Sequence, residues 1–263
     1  MFPKNKPFRS ILILSDFDGT FAGENGRIVP RNLEAIAHFK ALGGHFTFST
    51  GRLPSVMKKI YPNFCRLINA PAIMCNGALL YDAGTDTVLK EIFFDGRQSR
   101  PIVKDILSRF PEMNWVVYSD SGEMLSQISP DEVPGDCWRK MRFDCPNPAR
   151  VTECQQYILQ NYGDYYNCIR SWHTVVEIVD KQASKGNLIR MERDYFLKKG
   201  IEALTVCCIG DFENDIDMLR HADIAFCPEN AIDSVKQLSR HILCHHDSGA
   251  VADMIEIIEK TLI

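Results

Sequence analysis

The sequence predicts an α/β fold, a doubly wound parallel sheet interrupted by an inserted α+β segment, and three observations carry that expectation. The apolar run Ile11-Leu12-Ile13-Leu14 is bounded by Arg9-Ser10 and by the turn Asp16-Phe17-Asp18-Gly19-Thr20. It reads as a central strand covered on both faces of a parallel sheet. Strand-like and helix-like segments then alternate as far as Asn76-Gly77, the rhythm of right-handed crossovers. From about Asp82 the texture changes, and from Ser184 the first rhythm resumes, so an insertion splits the core.

Taken in order, the first strand ends at Asp16 and Asp18, with Gly19 to turn the backbone. Pro30–Leu42 has apolar residues at Leu33, Ile36, Ala37 and Leu42, Pro30 at its start and Gly43-Gly44 past its end, which marks an amphipathic helix. His45–Ser49 is a second strand ending at Thr50-Gly51-Arg52, followed by a helix over Pro54–Ile60, and Ala72–Cys75 is a third strand of the same sheet.

In the insertion, strands are expected at Val88–Phe94, Trp115–Tyr118, Asn167–Arg170 and Thr174–Val179, with helices around Ile102–Phe110 and Thr152–Asn161. Ser119-Asp120-Ser121-Gly122 reads as a hairpin turn leading to Glu123–Gln127. This is an antiparallel sheet with helices on one face. Trp115, Trp138 and Trp172 all fall here and are assigned to packing.

The core resumes with a helix over Lys185–Lys199 and a strand Leu204–Ile209 ending at Gly210-Asp211. A short helix Asn214–Arg220, a strand Ile224–Phe226, a helix Asp233–Leu238, a strand Ile242–Cys244 and a helix Ala250–Ile263 complete it.

A chain of 263 residues has room for a core and a second module. An apolar fraction of 45% and a charged fraction of 24% place it among globular proteins rather than disordered ones. A net charge of −4 without a basic block argues against nucleic acid as a partner. The ten cysteines are scattered, with no Cys-x-x-Cys pair, which reads as a reducing compartment. Cys207-Cys208, inside an apolar run, behave as small buried hydrophobes. The basic start Met1–Pro7 precedes an apolar run too short for a signal peptide, and no stretch approaches the roughly 18 apolar residues of a membrane span. A cytoplasmic protein with no membrane partner is expected.

Parallel strands point the same way, so Asp16 with Asp18, Thr50 with Gly51, Lys185, and Asp211 with Asn214 and Asp215 are expected to converge on one sheet edge. An Asp-x-Asp-Gly turn alone could equally be a solvated strand end or a calcium-loop fragment. Several carboxylates together repel one another unless a cation neutralises them. A hard divalent ion such as Mg²⁺ fits, since a couple of carboxylates, waters and a substrate phosphate satisfy it. Lys185 supplies a second positive charge, the Thr50 hydroxyl a donor, and the Gly51 backbone N–H a close approach to an anion.

These residues resemble, in order, the four motifs of the haloacid dehalogenase-like hydrolases: Asp16-x-Asp18-Gly19-Thr20, Thr50-Gly51-Arg52, Ser184-Lys185-Gly186 and Gly210-Asp211-x-x-Asn214-Asp215. The insertion, together with Asn76-Gly77-Ala78, is similar to the Cof-type subfamily of sugar-phosphate phosphatases. The resemblance implies a Rossmann-like core at 1–81 and 184–263 with an α/β cap domain at 82–183. It implies that Asp16 is the nucleophile that becomes an aspartyl phosphate and that Asp18 is the acid and base for leaving group and water. It further implies that Thr50, Gly51, Arg52 and Asn214 bind the phosphoryl group and that Lys185 stabilises charge. Mg²⁺ would be held by the Asp16 carboxylate, the Asp18 backbone carbonyl and Asp211, with Asp215 orienting Lys185 or a metal-bound water. The cap would exclude water and contribute specificity contacts. Phe212 and Glu213 depart from the small residues common in that loop, Phe21 stands where Leu is commoner, and Cys227–Ala231 resembles a family turn with no assigned role.

The implied reaction is Mg²⁺-dependent hydrolysis of a small phosphorylated metabolite, a sugar phosphate. A phosphomutase would use the same aspartates and return the phosphoryl group to a second hydroxyl. A phospho-acceptor regulator of the receiver type also combines an acidic pocket, Thr and Lys, but has no use for Asp18 or a cap. The sequence sets neither the substrate's identity nor the oligomeric state. His241, Cys244, His245, His246 and Asp247 cluster in the sequence, but their spacing matches no zinc pattern, so no metal role is expected there.

Overall fold

A computed structural model describes residues 6–262; the basic residues Met1–Asn5, and Ile263 at the end of the expected final helix, lie outside the described residues. The chain divides into two compact units, Met1–Leu89 with Lys185–Ile263, and Lys90–Ser184.

The first unit begins with β1 (Ile11–Ser15), α1 (Pro30–Ala41), β2 (His45–Phe48), α2 (Pro54–Ile60), α3 (Phe64–Leu67), β3 (Ala72–Met74) and β4 (Leu79–Asp82). The unit boundary falls inside β5 (Thr87–Glu91). The second unit contains β6 (Phe94–Asp95), α4 (Gly96–Arg109), β7 (Asn114–Ser119), β8 (Met124–Ser126), β9 (Cys137–Asp144), α5 (Pro148–Tyr162), β10 (Tyr166–Trp172) and β11 (Val175–Asp180). The first unit resumes with α6 (Ile189–Lys198), β12 (Thr205–Ile209), α7 (Ile216–His221), β13 (Ile224–Pro228), α8 (Asp233–Leu238), β14 (His241–Leu243) and α9 (Ala250–Leu262).

The core sheet has the order β14-β13-β12-β1-β2, and all its pairings are parallel. Successive β1 side chains serve opposite layers. Ile11 and Ile13 join a cluster with Ile36 and Phe39 of α1 and Val251, Met254 and Ile255 of α9. Leu12 and Leu14 join one with Ile189 and Phe196 of α6, Met218 of α7 and Val235 of α8. A strand buried on both faces favours apolar residues at every position, which is why β1 is an unbroken Ile/Leu run from Ile11 to Leu14. From β1 the chain moves outward to β2 on one side, and from β12 to β14 on the other. Open α/β sheets bind ligands at such a reversal, beyond the carboxyl ends of the strands.

Two expectations are corrected here. β3 does lie parallel to the end of β2, through a bridge from Ser49 to Ile73, but its ladder is antiparallel, with β4 in a three-stranded sheet β3-β4-β5, and not part of the core sheet. The helix expected from Lys185 starts at Ile189, and Lys185 lies in the preceding turn.

In the second unit, strands run in the order β10-β11-β9-β7-β8, with β6 against β9, and these pairings are antiparallel. Val103 and Ile106 of α4 and Val151, Cys154 and Ile158 of α5 pack on Val117, Met141, Phe143, Val176 and Ile178. The α+β insertion is thus present, and β9, absent from the sequence expectation, is its central strand.

Candidate active site

The site is built where β1, β2 and β12 end. The Asp16 N–H donates to the Ile209 carbonyl at 2.9 Å, so the parallel ladder carries on one residue past β1 and fixes where the carboxylate emerges. Lys185 is fully buried and donates to Asp16 Oδ1 and to Asp215 Oδ1, both at 2.6 Å. Asp215 Oδ2 accepts the backbone N–H groups of Asp211 at 3.0 Å and Phe212 at 3.2 Å. Asp211 Oδ1 accepts the Thr20 hydroxyl at 2.6 Å. Gly19 makes the close approach possible: its φ is +76°, and a Cβ there would fall 2.6 Å from Asp211 Oδ2. Only glycine fits both constraints.

Asp16, Asp211 and Asp215 are buried and bring carboxylate oxygens within 4.8 Å of one another. Burial pushes Asp16 well above the usual carboxylate range against the pull of Lys185, and Asp215, Asp211 and Asp18 add to the rise. Burial, then Asp215, push Asp211 up to about 7, opposed by Thr20 and Lys185. Burial also works against the Lys185 ammonium, but Asp16 and Asp215 outweigh it and hold its pKa above the ordinary lysine value. Three buried carboxylates around one ammonium leave negative charge uncompensated. An oxygen-only donor set with excess negative charge fits Mg²⁺ rather than a softer metal.

The other candidate residues sit at the same edge. The Thr50 N–H donates to the Ile73 carbonyl at 2.8 Å, its hydroxyl accepts from the Arg52 N–H at 3.3 Å, and Gly51 lies between. The Asp18 side chain is 53% exposed, in contrast to the buried trio. Arg52 holds it in a two-point fork, Nε to Oδ2 at 2.6 Å and the second guanidinium nitrogen to Oδ1 at 2.7 Å. Asn214 Nδ2 reaches Asn76 Oδ1 at 3.3 Å.

Two asparagines take part that residue-by-residue reading gave no role. Asn76 is fully buried at φ +54°, after Cys75 at φ +52°, and its N–H donates to the Thr50 carbonyl at 3.1 Å. Two successive non-glycine residues in the left-handed region are costly, and such strain gathers at functional sites. The Asn76-Gly77 pair was the only sequence signal for this. Asn230 donates to the Gly19 carbonyl at 2.8 Å and so braces the loop after β1; the only sequence signal for it was that Cys227–Ala231 resembles a family turn, which gave it no role.

Fold and site together define a doubly wound α/β hydrolase core with a charged pocket beyond β1. The family model described as haloacid dehalogenase-like hydrolase matches residues 13–140 and 125–255, and the chain belongs to that family. Over 93% of its length it is 24% identical to the pyridoxal phosphate phosphatase of Escherichia coli, covering 97% of that protein. It is 23% identical to a 5-amino-6-(5-phospho-D-ribitylamino)uracil phosphatase of Bacillus subtilis, covering 93% of this chain and 96% of the other. A solved sugar phosphatase of haloacid dehalogenase subclass IIB has a similar fold, with a TM-score of 0.78 and 17% identity over 96% of this chain and 99% of that one.

Proposed function

We propose that this protein is a Mg²⁺-dependent phosphatase that hydrolyses a small phosphorylated metabolite, a sugar phosphate, through a phosphoryl group carried on Asp16. The observation that carries the reading is the buried Lys185 held between Asp16 and Asp215 beside Asp211. A solvated strand end has no need of a buried ammonium, whereas a carboxylate that must meet an anionic phosphate does. The relatives add to this, since those named act on phosphorylated small molecules.

In this reading a carboxylate oxygen of Asp16 attacks phosphorus, and the bond from phosphorus to the substrate oxygen breaks. Asp18 gives its proton to the leaving oxygen, then takes one from the water that cleaves the aspartyl phosphate. Lys185 holds Asp16 in one rotamer, and Asp215 holds Lys185. Arg52, paired with Asp18 here, is offered a second anion when a phosphoryl group arrives, and sharing the guanidinium loosens its hold on Asp18. Thr50 and Gly51 donate to phosphoryl oxygens, and Asn214 contributes an amide. Asp16, Asp211 and the Asp18 backbone carbonyl would hold Mg²⁺, whose charge offsets the carboxylates and the phosphoryl oxygens.

The test is phosphate release from a panel of phosphomonoesters that includes hexose phosphates and pyridoxal phosphate, with Mg²⁺ and with chelator. Turnover is expected only with Mg²⁺, to be abolished by Asp16→Asn and lowered about 10²–10⁴-fold by Asp18→Asn. No turnover across the panel, or wild-type turnover by Asp16→Asn, refutes the proposal.

A further inference from the structure

The turn between β14 and α9 brings together a second set of potential ligands. His245 Nδ1 lies 3.6 Å from Asp247 Oδ2, and His246 Nε2 lies 3.9 Å from the same oxygen. One ligand atom from each of the three residues falls within 4.8 Å of the others. Ligands on a tetrahedral ion with bonds of about 2.0–2.2 Å stand roughly 3.4 Å apart, so Asp247 Oδ2 is within a few tenths of an ångström of ligand spacing from each imidazole, and the two rings, with ligand atoms within 4.8 Å of each other, would turn toward one another to close the set.

The protonation pattern suits a metal. His246 Nδ1 is 3.0 Å from the Ala22 carbonyl, and a carbonyl can only accept, so Nδ1 carries the hydrogen and Nε2 presents its lone pair. A backbone carbonyl on the far nitrogen of a ligating histidine is the usual way to fix tautomer and ring orientation. His245 Nδ1 accepts the Asp247 N–H at a long 3.3 Å, a bond its single lone pair would give up to take an ion. Asp247 divides its oxygens: Oδ1 takes the Glu24 N–H at 2.9 Å and Arg27 at 3.3 Å, while Oδ2 is left to the imidazoles.

The surroundings hold this arrangement in place. The His246 N–H donates to Asn230 Oδ1 at 3.1 Å, and a Cβ on Gly23 would meet Asp247 Oδ1 at 2.2 Å, so the neighbouring loop closes on Asp247 only because residue 23 is glycine. His246 is mostly buried, with side-chain exposure of 11%, while Asp247 at 26% and His245 at 41% keep the outer positions open to water. Cys244 takes no part: burial pushes its thiol up to about 11, and it faces Arg31.

We propose that His245, His246 and Asp247 form a site for a borderline divalent transition-metal ion of the Zn²⁺ class, separate from the oxygen-only cluster of Asp16, Asp211 and Asp215. Two imidazole nitrogens and one carboxylate oxygen with open outer positions suit such an ion and not Mg²⁺. Spacing along the sequence hides the site because its three ligands are consecutive, and only the short turn before α9 swings them to one side.

The experiment is Zn²⁺ titration of the full chain by calorimetry under saturating Mg²⁺, repeated in an Asp211→Asn background to remove the acidic cluster as an acceptor. One Zn²⁺ per chain is expected in both. His245→Ala, whose ring is exposed, should weaken binding about tenfold or more with the metal-free melting temperature unchanged; Co²⁺ bound to the wild type should show visible bands that His246→Gln lacks. If His246→Gln does not fold, His245→Ala and Asp247→Asn decide the matter. Wild-type Zn²⁺ affinity in His245→Ala and Asp247→Asn, displacement of Zn²⁺ by Mg²⁺, or no Zn²⁺ binding overturns the proposal.

Discussion

Thr20 donates its hydroxyl to Asp211 at 2.6 Å and is fully buried, so its contribution to the acidic cluster can be isolated by a near-isosteric change. Asp211 has burial and Asp215 working to keep it protonated, and Thr20 is the first of the two groups favouring the carboxylate. A metal needs that carboxylate ionised. Thr20→Val removes the hydrogen bond and keeps the shape, so it should raise the Mg²⁺ concentration for half-maximal phosphatase activity about tenfold or more and leave the rate at saturating Mg²⁺ close to wild type. Unchanged Mg²⁺ dependence would mean that Thr20 only packs. The same logic explains why this corner was legible in the sequence: Asp16, Lys185 and Asp211 are residue types with few structural uses when buried, each placed at or near a strand end. Asn76 and Asn230 were not assigned roles, because an asparagine in a loop is ordinary until its φ or its partner is known.

At the scale of the element, α6 carries a buried acid. Glu192 is fully buried on the face it shares with Ile189 and Phe196, and neither carboxylate oxygen has a hydrogen-bond partner. Burial, with Asp82 adding to it, raises its pKa well above the ordinary value. The folded chain therefore keeps this proton in a window, starting at the unfolded value of about 4.3, where the unfolded chain loses it. The native state binds more protons there, so this group's contribution to stability is full below the window and falls as pH rises through it. Glu192→Met should stabilise the protein at pH 8 by about 1–3 kcal/mol, the cost of an unsatisfied buried polar group, and by less at pH 5. Urea denaturation of both proteins at the two pH values checks this; an equal difference at both would show that the Glu192 proton is not involved. Glu192 also shows why some elements were harder to place than others. β1 is apolar up to Ser15 and β12 after Thr205, so both could be read directly, whereas β9 contains Arg139, Lys140 and Arg142. Lys140 is buried there against Glu177, and cross-strand pairing of this kind leaves no periodic apolar signal. β3 was assigned to the core sheet because three apolar residues cannot report the direction of their partner.

At the scale of the molecule, each unit has its own hydrophobic clusters. Those around β1 draw only on residues 8–81 and 188–258 together with partly buried neighbours of the same unit, and the cluster around Trp138 and Phe143 draws on residues 94–178. Modules with separate cores often unfold in separate steps. The cluster of Asp16, Asp211 and Asp215 lies in the first unit, so the repulsion that Mg²⁺ relieves burdens that unit alone. A ligand that binds only the native state adds RT ln(1 + [L]/Kd), about 2.7 kcal/mol at a hundredfold excess over Kd. Scanning calorimetry is therefore expected to resolve two transitions, of which Mg²⁺ raises one and leaves the other in place. Trp138→Ala, a deletion of a fully buried side chain in the second unit, should lower the other by an amount typical of a large core truncation, about 3–5 kcal/mol. In Asp211→Asn the Mg²⁺ shift should largely vanish with both transitions still present. A single transition moved as one by both Mg²⁺ and Trp138→Ala would show that the two cores stand or fall together.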